Sequence, residues 1–136
     1  MTYAVSQALQ AAVFDVLSTD PAVAAEVGSA IYDAVPAGAV PDIYLRLGSE
    51  TVRDASDGSG AGSEHMLTVS VITVSPGFSS AKAAAAAVSD ALHGADLALA
   101  RGRLVFMRFD RASARRIDSA SARQIDLRFR ARVQDD

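Results

Sequence analysis

The sequence predicts an α+β fold, a mainly antiparallel sheet with helices packed on one face, in a single domain over residues 1–136. Three observations carry this. Apolar residues recur at three- and four-residue spacing near the start and again within 78–93, the period of a helix that buries one stripe. Other segments alternate apolar with polar residues or are rich in β-branched ones, which is strand behaviour. The order helix, helix, strands, helix, strands points to helices gathered on one face of a mainly antiparallel sheet. A chain of 136 residues can support this without staples, since a domain of about 150 residues buries roughly 68–70% of the surface its unfolded chain exposes.

Each element has its own signal. Val5, Leu9, Ala12, Val13, Val16 and Leu17 place an amphipathic helix over 3–17. In "TDPAVAAEVG" Asp20 is the expected N-cap of a short second helix, Pro21 its first residue and Gly28 its stop. "AIYDAVP" reads as a brief extended piece, closed by "PAGAVP". Residues 42–54, "DIYLRLGSETVRD", alternate through Ile43, Leu45 and Leu47, and 64–75, "EHMLTVSVITVS", are β-branched, so the two form a hairpin. Their connection, "ASDGSGAGS", is about nine residues long, where hairpin loops usually have about 2–5. Over 78–93, Ser79 or Ser80 is the expected cap, Ala81, Ala85, Val88 and Leu92 form the buried stripe, and Gly94 lies beyond the end. "RGRLVFMRFDRA" is a strand with Val105, Met107 and Phe109 inward, joined through the polar "SARRIDSAS" to a last strand, "RQIDLRFRARV". That strand alternates cleanly: Ile125, Leu127, Phe129, Ala131 and Val133 face a core, while Asp126, Arg128, Arg130 and Arg132 face the other way.

Composition excludes several chemistries. Without cysteine there is no disulfide, thiolate metal site or thiol nucleophile. The opening residues lack the basic region of a signal peptide, and no run approaches the roughly 20 apolar residues of a membrane span, so a soluble, unprocessed protein with no membrane partner is expected. Charge is two-ended: residues 1–100 carry three basic groups against eleven acidic ones, net −8, and residues 101–136 carry ten arginines against five aspartates, net +5. These arginines accompany no recognition helix, RNP-like or zinc-finger pattern, which argues against nucleic-acid recognition. "DGSGAGSEH" has the glycines of a phosphate loop, but a strand follows where such a loop opens a helix. It also lacks the oxygen ligands of an EF-hand. His65 beside Glu64 is an ordinary neighbour pair. His93, in the last turn of the alanine helix, is placed for a cationic imidazole to meet the helix dipole. No G-x-S-x-G elbow exposes a serine. No metal, nucleotide or covalent cofactor is expected.

Two candidate interaction sites remain. Arg128, Arg130 and Arg132 form either a solvated, cross-strand-paired face or a subunit interface, where the guanidinium fork pairs with carboxylates and the stem covers apolar surface. The glycine-rich connection, with Asp54, Asp57, Gly58, Gly60, Gly62 and Glu64, is expected to be mobile alone and to order against a partner.

Taken together, the opening "MTYAVSQALQAAVFDVLSTDPAVAAEVGSAIYDAVP", the hairpin "VPDIYLRLGSETVRDASDGSGAGSEHMLTVSVIT", the helix "GFSSAKAAAAAVSDAL" and the closing "IDLRFRARV" resemble the tail completion, or tail terminator, proteins of long-tailed phages and alphaproteobacterial gene transfer agents. The resemblance covers nearly the whole chain and rests on segment order rather than a catalytic signature. It implies a non-enzymatic protein of the particle's tail, assembled in the bacterial cytoplasm. Such a protein forms a ring, typically of six copies, on the head-proximal end of the tail tube. The ring stops tube polymerisation and docks the head-tail connector, or stopper, and DNA passes through its lumen without specific binding. A small ligand-binding domain or enzyme, or a DNA-binding protein, are the alternatives.

Overall fold

The computed structural model describes residues 3–58, 60–117 and 121–135. Helix α1, Ser6–Thr19, buries Leu9, Val13 and Leu17 at four-residue spacing. Asp20 both ends α1, through its N–H to the Val16 carbonyl, and caps α2, Pro21–Val27, by accepting from the Val23 N–H at 3.0 Å. Gly28, at φ +61°, turns the chain out of α2. Strand β1, Ile31–Tyr32, then pairs in parallel with Leu45 and Arg46 of β2, Ile43–Asp54, the one parallel pairing among the described residues.

Strand β2 pairs with β3, Ala61–Thr73. A bulge between Leu47 and Glu50 changes which residues of β2 face the helices. Ile43, Leu45 and Leu47 do so before it, and Glu50 and Val52 after it, as the register against Leu67 and His65 of β3 requires. The pairing continues to Asp54 opposite Ser63, so the expected nine-residue connection shrinks to 55–60, with Asp57 and Gly60 bridged across its tip. Ser59 of this connection lies outside the described residues.

Helix α3, Ser79–Leu92, buries Ala81, Ala84, Ala85, Ala87, Val88 and Leu92 against β3, β5, β4 and α2. Alanine lets the helix axis approach the sheet closely. Neither Ser79 nor Ser80 caps it. The N-cap position is Phe78, with no side-chain cap bond, because Gly77 at φ +75° starts the helix one residue earlier than the serines would.

Strands β4, Arg103–Ile117, and β5, Ala122–Asp135, complete the sheet in the order β1-β2-β3-β5-β4. Most of the expected polar connection "SARRIDSAS" is thus strand, and its Asp118, Ser119 and Ala120 lie outside the described residues. Phe129, Ala131 and Val133 of β5 are fully buried, and Ile125 and Leu127 nearly so, under the helices. On β4 the expected inward trio is corrected. Met107 is buried, but Val105 is 44% and Phe109 40% exposed. Bulges between Leu104 and Phe106 and between Phe109 and Arg111 break the alternation. Val105 falls in the first of them, while Phe109 keeps the helix-facing register opposite Phe129 beyond full cover.

Candidate functional site

The helices occupy one face of the sheet, so the other is open and carries the even-numbered side chains of β5. There the arginines of β5 meet partners within their own chain. Arg128 Nε donates to Asp110 at 2.9 Å. Arg130 lies over the Phe106 ring, 5.5 Å from its centroid, with Arg108 at 4.1 Å from the same ring. Arg132 donates to the Ala55 carbonyl at 2.9 Å and stands 3.9 Å from the Asp57 carboxylate. Asp126, two residues before Arg128 in the same row of β5, accepts from Ser70 at 2.6 Å and Gln124 at 2.7 Å. Burial pushes its pKa up, but these bonds and the charges of Arg115 and Arg46 outweigh that and hold it below the ordinary 3.8. A depression of about 480 Å³ on this face is lined by Arg111, Arg128, Asp126, Ser49 and Thr68 among others.

Arg132 also joins the two candidate sites, because the carbonyl it holds belongs to the hairpin tip. Asp54 accepts from the Ser56 N–H and hydroxyl, Ala55 N–H donates to Gly62, and Glu64 pairs with Arg53 at 3.2 Å. The Ser56 hydroxyl bond lowers the Asp54 pKa from 3.8. Gly62 has a steric role, since a Cβ there would stand 2.8 Å from the Ala55 carbonyl oxygen. Gly60 and Gly58 lie at the tip, where a Cβ on Gly60 would meet only the Gln134 side chain, at 2.9 Å, and one on Gly58 nothing within 4 Å. The described residues of the connection are thus tied by hydrogen bonds into a hairpin end.

A polar cluster missed in the sequence lies under the helices. His65 is fully buried, with Nε2 3.0 Å from the Ser63 hydroxyl and Nδ1 3.4 Å from Glu50. Glu50 also accepts from Ser6 at 2.6 Å and Tyr3 at 2.7 Å. Burial raises the Glu50 pKa, but bonds from Ser6, Tyr3 and His65 outweigh it and leave the carboxyl below 4.5. Ser63, His65 and Glu50 follow one another as in a nucleophile, base and orienting acid, yet Ser63 and His65 are 0% exposed. The bulge after Leu47 brings Glu50 to this face, and nothing in the alternation of β2 signals it. His93 is the C-cap of α3 rather than a residue of its last turn, and its Nδ1 accepts from the Phe109 N–H at 3.0 Å, which fastens the end of α3 to β4.

The family described as tail completion protein gp17 matches residues 11–134. A chain from a solved structure titled "Virion of native gene transfer agent (GTA) particle" is 59% identical, over 98% of this chain and 99% of that one, with a TM-score of 0.93. No curated protein matches.

Proposed function

We propose, from the premise that this chain belongs to the tail completion protein gp17 family, that it is a non-enzymatic tail terminator of a gene transfer agent particle. The observation that carries this reading is the near full-length likeness to a chain of a gene transfer agent virion. The protein is assembled into the tail in the bacterial cytoplasm as a ring of six copies. The ring sits on the head-proximal end of the tail tube, ends polymerisation of the tube protein and offers the surface on which the head-tail connector docks. DNA passes through its lumen. No cofactor takes part.

The open sheet face then has a defined role. A lumen lined by Arg128, Arg130 and Arg132 would grip passing phosphates, because neutralisation with counterion release is strongly favourable. A conduit works against such grip. The arginine face accordingly points away from the channel, towards the carboxylates of its own sheet, a neighbouring copy or the tube. The in-chain partners of Arg128 and Arg132 support this reading, since they already spend part of that charge. The hairpin tip from Asp54 to Glu64, held out by Arg132, reaches the tube or the adjacent copy.

The test is to measure mass in solution with and without tail tubes, and to image tubes grown with the protein in excess. Rings on one tube end and arrested growth are expected. Tubes that elongate at the same rate with bare ends would overturn the proposal.

A further inference from the structure

We propose that the cleft between α3 and the second half of β4 is the seat of the exposed face of α1 from the next copy of this chain; the inference rests on the ring reading and specifies its contact. Strand β4 runs for 15 residues but pairs on one side only, with β5. Its other edge is covered at Met107–Phe109 by the end of α3, where Gly94 N–H donates to Met107 and His93 accepts from Phe109. Beyond Phe109 nothing in the described residues covers it. The helix-facing positions there are nevertheless apolar: Phe109, Ala112 and Ala114, all exposed, opposite the buried Phe129, Leu127 and Ile125 of β5. With Ala85 and Ser89 of α3 they line an open cleft of about 290 Å³. An apolar face that follows the inward register of a sheet and lacks a cover calls for one from outside.

The opposite edge of the same sheet offers a matching surface. There α1 lies over β2, and its outward side carries Gln7, Ala11, Phe14 and Asp15 around a shallow depression shared with Asp33 and Leu47. Phe14 is 37% exposed. The two surfaces complement each other in charge. Lys82 lines the cleft and Arg116 follows Ala112 and Ala114 on the same face of β4, while Asp15 and Asp33 flank Phe14. None of these four side chains has an ion pair among the described residues. Because the surfaces differ and lie at opposite edges of the sheet, their contact is head-to-tail, the kind that closes into a ring when the rotation permits. An added strand is a poorer occupant, since the bulge between Phe109 and Arg111 interrupts the edge of β4 where the uncovered stretch begins.

The absence of cysteine makes a clean test possible. A chain carrying both A11C and A112C, two exposed sites, is assembled on tail tubes and oxidised. A disulfide ladder rising to the full ring is expected. Neither single variant, nor A11C combined with T51C on the open sheet face, should go beyond dimers. Phe14→Asp gives a second readout: unchanged cooperative melting of the monomer, with tube capping at least tenfold weaker. Capped tubes and a ring mass without a ladder, together with normal capping by Phe14→Asp, would overturn this contact and leave the ring reading standing. Failure of the unsubstituted protein to form any oligomer on tubes would overturn both.

Discussion

Replacing Glu50 by alanine is expected to destabilise the isolated chain by about 2–4 kcal/mol, on the scale of about 1.5–3 kcal/mol for a hydrogen bond to a charged group. The carboxylate accepts from Ser6 at 2.6 Å and lies 3.4 Å from His65, whose ring is fully buried and whose other nitrogen is held by Ser63. Removing the acceptor leaves the buried imidazole Nδ1 without its hydrogen-bond partner. Tyr3 adds little, because it is 62% exposed and water replaces its bond. Denaturant unfolding with an unchanged slope measures the loss, and at this size the melting temperature should fall by roughly 4 °C per kcal/mol. The same variant carries a pH signature. The folded pKa of Glu50 lies below 4.5, so its stabilising contribution is fully present above 4.5 and is lost as pH falls through the folded value. The gap between the original chain and Glu50→Ala should therefore be widest near neutrality and narrow in acid. A loss below about 0.5 kcal/mol, the range of an ordinary surface substitution, or a gap that widens in acid, would refute the reasoning.

Gly102 has φ +71°, and a Cβ on it would stand 2.5 Å from the Gln134 carbonyl oxygen, so Gly102→Ala should cost about 1–3 kcal/mol by thermal melting. Gly28→Ala is strained in backbone only, with nothing within 4 Å of the added carbon, and should cost less in the same assay. Asp20→Ala removes the cap of α2 and should lower stability by about 1 kcal/mol in denaturant unfolding. Arg132→Gln releases the Ala55 carbonyl and should speed hydrogen exchange over Ala55–Asp57, with a global loss of at most about 1 kcal/mol. Replacing Arg128, Arg130 and Arg132 together by glutamine should leave a cooperative monomer but reduce the number of completed particles; a normal particle count would return them to solvated surface.

Where a single periodicity governs an element, the sequence alone determined it. The four-residue spacing of α1, the Asp20-Pro21 start and Gly28 stop of α2, the alanine stripe of α3 and the alternation of β5 all survive folding, because each depends on neighbours a few residues away. The division of β5 into a buried face and an arginine face was determined in the same way, as was the likeness of the whole chain to tail completion proteins. Only the tertiary structure decided what those faces meet. Bulges in β2 and β4 shift the register by one residue, which turns Glu50 towards His65 and takes Val105 out of the inward row; a bulge depends on the strand opposite, so alternation along one strand does not record it. Asp110 becomes the partner of Arg128, and Ala55 and Asp57 become partners of Arg132, through pairings between segments distant in sequence. The uncovered apolar edge of β4 has the same origin. Phe109, Ala112 and Ala114 read as core positions in the chain, and whether they are covered depends on where α3 ends relative to a strand that continues beyond it.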